Sequence, residues 1–309
     1  MKAVAEAPSK VIITGEHFVV HGAWALAAAI PRRTRVEVHE ASSFKVVSDA
    51  FPGAGNAALK PVADVVDAMA REFSFQPRVR VSIRSSVPGG AGLGSSASTM
   101  VALTSALSRL HSLDLGVDEV VRVSMVGERE IHGRPSGIDP NICARGGVLL
   151  FRPGSAPRKV SLNGSRTLIV SFSGGQRSTK RQISRVSTVR GAFPAFFDAL
   201  TQSASAVSLM AAERLSEGDL KGLGTLLSFS HSVLSTLGVS TKPLDRLVTA
   251  SLSLGSYGAK LTGAGGGGSV VSVAPEGKQK SVISGLKARG FETFRAEVPV
   301  EGVKSWLER

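Results

Sequence analysis

What this chain of 309 residues lacks narrows its class before any motif is considered. It has a single cysteine, Cys143, so it can close no internal disulfide and cannot build a thiolate zinc site alone. Cys143 reads first as a small buried apolar side chain and second as a reactive thiol. Aromatic residues make up only 5%, with one tyrosine and two tryptophans. They are not interleaved with basic residues as the stacking platforms of a single-strand nucleic-acid binder would be. Acidic side chains are scarce, 24 against 37 Lys and Arg, for a net charge of +13. That excess admits a polyanion, a membrane surface or an anionic metabolite and does not choose among them. The basic residues are spread along the chain, with Arg32-Arg33 and Lys180-Arg181 the densest spots. No apolar run approaches the ~18 residues of a membrane span, since Val19 to Ile30 is broken by His21 and Gly22. Glu6, Pro8 and Lys10 stand where a signal peptide would need its apolar region. The expectation is a soluble cytoplasmic protein that binds neither nucleic acid nor membrane.

Hydrophobic residues are 42% of the chain, enough for one large core or two modest ones, and two domains are expected. Strands are expected at Val11 to Ile13, Thr34 to His39, Val79 to Ile83, Val148 to Phe151, Thr167 to Phe172 and Ser269 to Val273. Helical spacing runs over Pro61 to Phe73, Ser95 to His111, Asp118 to Ile131, Phe193 to Leu215, Leu220 to Leu237, Pro243 to Leu254 and Gln279 to Arg289. The Pro-, Gly- and Ser-rich stretch Arg152 to Gly164 is the expected connection between a domain at 1–160 and one at 161–309. Strands and helices mixed in both halves indicate an α+β fold.

One loop stands out. Pro88-Gly89-Gly90-Ala91-Gly92-Leu93-Gly94-Ser95-Ser96 joins a strand to a helix, so its backbone N–H groups can converge on an anion at the helix's positive end. Glycines at alternate positions let the backbone approach a ligand, and Ser95 and Ser96 add hydroxyls. No lysine follows as in a P-loop, and no third glycine completes a dinucleotide fingerprint. H-R-D and D-F-G are absent, and Ala274-Pro275-Glu276 is chance. The run Gly263 to Gly268 is weaker, since it serves equally as a close approach of two backbones.

Phosphoryl transfer needs a metal bridging the phosphates, a cation, and a group that orients or deprotonates the acceptor. Glu128 could serve a metal or be a solvated helix carboxylate. Asp139, in Pro135-Ser136-Gly137-Ile138-Asp139-Pro140, could be an acid held on a rigid turn or an ordinary turn residue. Lys10 could sit in a domain interior or at a strand end. His17 and His21 do not form a zinc helix, because their order is wrong and no third ligand is evident. Either could bind substrate or cap a turn.

Three segments together resemble the signature motifs of the GHMP kinases: Ala7-Pro8-Ser9-Lys10-Val11-Ile12-Ile13-Thr14-Gly15-Glu16-His17, Pro88 to Ser98, and Lys260-Leu261-Thr262-Gly263-Ala264-Gly265-Gly266-Gly267-Gly268. Gly15 to Gly22, and Glu128 followed by His132 to Asp139, resemble the family's mevalonate kinases. Ser9, Ser98 and Ser269 depart from the usual glycine, alanine and cysteine.

The resemblance implies a two-domain fold, with an N-terminal domain like domain 2 of ribosomal protein S5 and a ferredoxin-like C-terminal domain. ATP and Mg²⁺ are the implied cofactors. Ser85, Gly90, Ala91, Gly92, Leu93, Gly94, Ser95 and Ser96 match nucleotide contacts, and Ser96 and Glu128 match metal ligands. Asp139 matches the catalytic acid and Lys10 its cationic neighbour. Glu16, His17, Asp139, Thr179 and Gly265 fall on the substrate side. The implied reaction moves the ATP γ-phosphoryl to the C5 hydroxyl of mevalonate, and a homodimer is the family-level expectation. Other members' substrates, transfer to the C3 hydroxyl, a sensor without turnover and an RNA binder are the rival readings.

Overall fold

The computed structural model describes residues 1–49, 56–87, 89–164, 166–174 and 179–308. Pro88, at the head of the glycine-rich loop, and Arg177 and Ser178, ahead of Thr179, lie outside the described residues. The first half contains β1 (Lys2–Thr14), β2 (Ala25–Glu40), β3 (Lys45–Ser48), α1 (Asn56–Glu72), β4 (Val79–Ser85), α2 (Ser95–Leu110), α3 (Val117–His132), α4 (Ile138–Arg145), β5 (Val148–Phe151) and β6 (Arg158–Lys159). The second contains β7 (Arg166–Phe172), α5 (Thr179–Ala192), α6 (Pro194–Glu217), α7 (Leu220–Thr236), α8 (Lys242–Ser253), β8 (Gly258–Thr262), β9 (Ser269–Val273), α9 (Gln279–Ala288), β10 (Glu292–Val298) and β11 (Lys304–Glu308).

Strands β1 and β2 extend well beyond the segments that alternation picks out, because parts of both are buried on two faces. Ala25, Ala27 and Ala29 face a core shared with α1 to α4, while Leu26, Ala28 and Ile30 face a second core built from β7, β9, β10, α6 and α7. A strand covered on both sides has no polar face, so its period-2 signal vanishes. The small side chains of β2 and of α2 (Ala97, Ala102, Ala106) let that helix lie close on the sheet. A third core fills the second half around Phe197, Leu234, Leu247 and Val282.

The first sheet runs β11-β1-β2-β4-β3, with β5 against β2 and β6 against β5. Strands β3 and β4 are parallel, with α1 as their crossover. The second sheet runs β10-β7-β9-β8, all neighbours antiparallel. With helices after its first and third strands, this is the ferredoxin-like arrangement.

A division at residue 160 does not hold for the last strand. β11 pairs antiparallel with β1, from Lys2 opposite Glu308 to Glu6 opposite Lys304, and so covers backbone groups that an edge strand would leave open. The expected connection is also partly structured, since β6 lies within it. Across the two halves, Ile12 N–H donates to Thr262 Oγ1 at 2.9 Å and Thr262 Oγ1 donates to Ile12 O at 3.0 Å. Ser269 Oγ donates to Ala91 O at 2.9 Å.

Candidate active site

A cleft of about 860 Å³ opens where the two halves meet, lined by β1, both glycine-rich segments, the start of α2, the end of α3, the start of α4 and one face of α5. That volume suits a nucleotide-sized ligand together with a small acceptor.

The first glycine-rich segment forms one wall. Gly90, Gly92 and Gly94 have φ of 78°, 84° and 75°, a left-handed conformation that costs other residues about 1–2 kcal/mol. Gly94 is the N-cap of α2, so the first N–H groups of that helix have no intrahelical acceptor and are available to an anion. Lys10 is fastened to the same segment. Its N–H donates to Leu93 O at 2.9 Å, its Nζ donates to Gly92 O at 3.3 Å, and a Cβ on Gly94 would come within 2.8 Å of its Cγ. The side chain is almost fully buried, and Nζ pairs with Asp139 Oδ2 at 3.1 Å.

Asp139 lies not on a turn but in the first turn of α4, behind Gly137, which is left-handed at φ 90°. The helix N-terminus favours a carboxylate there. A quarter of its side chain stays exposed, so a ligand can reach it.

Glu128, on α3, is 1% exposed, and its Oε1 has no hydrogen-bond partner. Burial and the neighbouring Asp139 push its carboxyl up to about 8, against the pull of Ser96 and Lys10. Its Oε2 lies 3.8 Å from His132 Nε2, which is 3.3 Å from Ser96 Oγ. An orphaned carboxyl oxygen beside a serine hydroxyl suits a hard divalent cation such as Mg²⁺. Among the described residues, no three acidic, His or Cys side chains converge. Phosphate oxygens and water would therefore complete the coordination.

Lys260, on β8, is fully buried and pairs with Glu16, itself 2% exposed. Burial raises the Glu16 carboxyl and lowers the Lys260 ammonium, while each partner opposes the other's shift. His17 has φ 64° and begins the 3₁₀ turn Phe18–His21, and its Nε2 is 2.9 Å from Ala264 O. Thr179 opens α5, a helix that the sequence pattern does not anticipate, and lines the cleft with Ile183, Val186 and Arg190.

The expected residues Lys10, Glu16, His17, Gly90, Ala91, Gly92, Gly94, Ser95, Ser96, Glu128, Asp139 and Thr179 all line this cleft. Three others do not. Leu93 is buried in the second core. Ser85 Oγ bonds to Thr34 and Val87. Gly265 packs on Val239, whose carbonyl oxygen any Cβ there would overlap. The sequence reading assigned nothing to His132, Lys260 and Arg190. The i,i+4 spacing from Glu128 points to His132, and Lys260 heads the third motif, whereas only tertiary structure brings Arg190 to the cleft.

The model for the "GHMP kinases N terminal domain" matches residues 60–147, and that for "GHMP kinases C terminal" matches residues 211–292. The chain is 36% identical over 318 residues to the mevalonate kinase of Aeropyrum pernix, covering 98% of each. It is also 36% identical to that of Thermococcus sibiricus over 330 residues, again with 98% of each covered. Among solved structures, L. major mevalonate kinase in complex with R-mevalonate superposes with a TM-score of 0.83 at 29% identity, covering 96% of both chains.

Proposed function

Since the chain belongs to the GHMP kinase family, among its mevalonate kinases, we propose that it transfers the γ-phosphoryl of ATP to the C5 hydroxyl of (R)-mevalonate, giving 5-phosphomevalonate and ADP. The observation that carries this reading is the Lys10–Asp139 pair, 3.1 Å apart, set between the glycine-rich wall and buried Glu128. The glycine segment and the N-terminus of α2 receive the phosphates, with the apolar side formed by Leu59, Val62, Ile83 and Met100 left for the base. On the other side, His17, Thr179 and Arg190 line the space for the acceptor, and Arg190 is the cation for its carboxylate.

With the acceptor in place, Asp139 takes the hydrogen bond of the C5 hydroxyl and orients that oxygen in line with the γ-phosphorus. The new O–P bond forms as the bond to the β,γ-bridging oxygen breaks, and the hydroxyl proton passes to the carboxylate. In a loose transition state the acceptor oxygen gains little charge early, so Asp139 contributes mainly position. The Lys10 ammonium offsets charge on the transferred group. Mg²⁺, held by Ser96 and Glu128, would supply neutralisation of the phosphate charge. From the same family resemblance we infer a cytoplasmic homodimer, and light scattering on the purified protein tests the dimer.

The direct test is coupled ADP release with ATP and Mg²⁺, comparing mevalonate with phosphomevalonate, homoserine and galactose, with the product's phosphate located by NMR. Mevalonate-dependent turnover at C5 is expected, and ATP binding without turnover on any acceptor would overturn it. Asp139→Asn should lower kcat by about 10²–10⁴-fold, and a near-normal kcat would remove Asp139 from the mechanism.

A further inference from the structure

We propose that Lys260 is a positioning residue for the acceptor: it orients the buried Glu16 carboxylate so that Glu16 Oε2 takes a second hydroxyl of the acceptor molecule. This rests on the mevalonate reading above, in which the tertiary hydroxyl is the group left over once the C5 hydroxyl is at Asp139.

The geometry is asymmetric in a way that a purely structural ion pair does not need. Lys260 has no exposed surface, and its Nζ donates to Glu16 Oε1 and to Leu261 O at 2.6 Å. One oxygen of Glu16 is thus held from behind. The other, Oε2, is buried and has no hydrogen-bond partner, although Glu16 lines the cleft. Leaving a buried carboxylate oxygen unsatisfied is costly, and such an atom calls for a donor from outside the protein. A hydroxyl fits, because a second cation there would compete with Lys260 and with Lys10, whose charge acts on both members of the pair.

On the far side of Lys260, His231 Nδ1 accepts from Leu261 N–H at 3.5 Å, and its Nε2 lies 3.4 Å from Asp245 Oδ1. The titratable and charged groups facing the pair are therefore Lys10, His231 and, behind it, Asp245. A site that offers a buried acceptor to a hydroxyl discriminates strongly against molecules lacking it. Lys260 touches no reacting atom and acts only through Glu16.

The test uses full-length Lys260→Met, Glu16→Gln and the double variant, measured beside wild type with mevalonate and ATP. Lys260→Met should raise the KM for mevalonate at least ten-fold while the KM for ATP moves less than two-fold. Without the ammonium the buried carboxyl holds its proton to higher pH, so the acid limb of kcat/KM for mevalonate should move up by one unit or more. A falling thermal midpoint with both readouts unchanged would mean a structural role and overturn the proposal. Should Lys260→Met not fold, the double variant decides. A mevalonate KM within two-fold of Glu16→Gln alone supports action through Glu16, and a further ten-fold rise overturns it. Wild-type protein without mevalonate-dependent turnover would overturn the proposed function and this assignment with it. Wild-type turnover with an unchanged Lys260→Met would overturn only the latter.

Discussion

The two glycine-rich segments have similar composition and opposite surroundings. The first, at 89–94, keeps space free: a Cβ on Gly90 would meet nothing within 4 Å, and the segment ends on the exposed N–H groups of α2. The second, at 263–268, reaches the cleft at Gly263 and Ala264 but is packed against the chain in its middle. Its glycines are all left-handed where φ is positive, Gly265 lies on the Val239 carbonyl, and Gly266 lies on Gln182. Each segment also adjoins a buried lysine paired with a carboxylate, Lys10 with Asp139 and Lys260 with Glu16. Both carboxylates line the cleft, Asp139 with a quarter of its side chain exposed and Glu16 with 2%. Glycine thus serves approach by a ligand in one place and approach by the chain itself in the other.

Of the changes that separate these two regions, Lys10→Met should be the largest, a fall in kcat of about 10²–10³-fold, as for loss of a charge-stabilising donor. Steady-state kinetics with saturating ATP check it, and an unchanged kcat would erase the distinction between the two lysines. The next effect concerns the charge that the first region leaves uncompensated. Glu128 has its pKa raised from 4.5 to about 8, so between those values the folded chain holds a proton that the unfolded chain has released. Its contribution to stability is full at acid pH and is lost as pH rises through about 8, in total about 5 kcal/mol. Thermal midpoints of the ligand-free protein from pH 5 to 8 should fall more steeply for wild type than for Glu128→Gln. Parallel curves would mean that Glu128 is not protonated in the fold.

The smallest effects separate the glycines themselves. Gly265→Ala must strain φ and displace Val239, costing about 2–3 kcal/mol, whereas Gly90→Ala meets only the left-handed penalty of about 1 kcal/mol. Urea unfolding distinguishes them. Equal losses would show that packing around the second segment adds nothing.

Much of the site was legible from local pattern. A strand, a glycine-rich loop and a helix in series announce an anion site whatever the rest of the chain does, and the loop, Lys10, Glu128 and Asp139 do converge on one cleft. The α+β class and the ferredoxin-like half followed from the order of elements and from the family resemblance. Helix α5 was not legible, because Lys180, Arg181, Arg185 and Arg190 obscure a stripe whose apolar members, Ile183, Val186 and Val189, recur only at i,i+3. Strand β11 was hidden because it pairs with residues some 300 positions away.

The division of labour has a physical cause. Backbone conformation at glycine, the polarity of a helix end and the kinds of charge available are local properties, so spacing alone marked one loop as able to hold an anion, while the roles of Lys10, Glu128 and Asp139 came only from the family resemblance. Burial and pairing are not local. Whether Lys10 met Asp139, whether Lys260 turned one oxygen of Glu16 inward, and which glycine segment stayed open depended on how two cores closed over β1 and β2. Desolvation and hydrogen-bond geometry exist only once that closure has occurred.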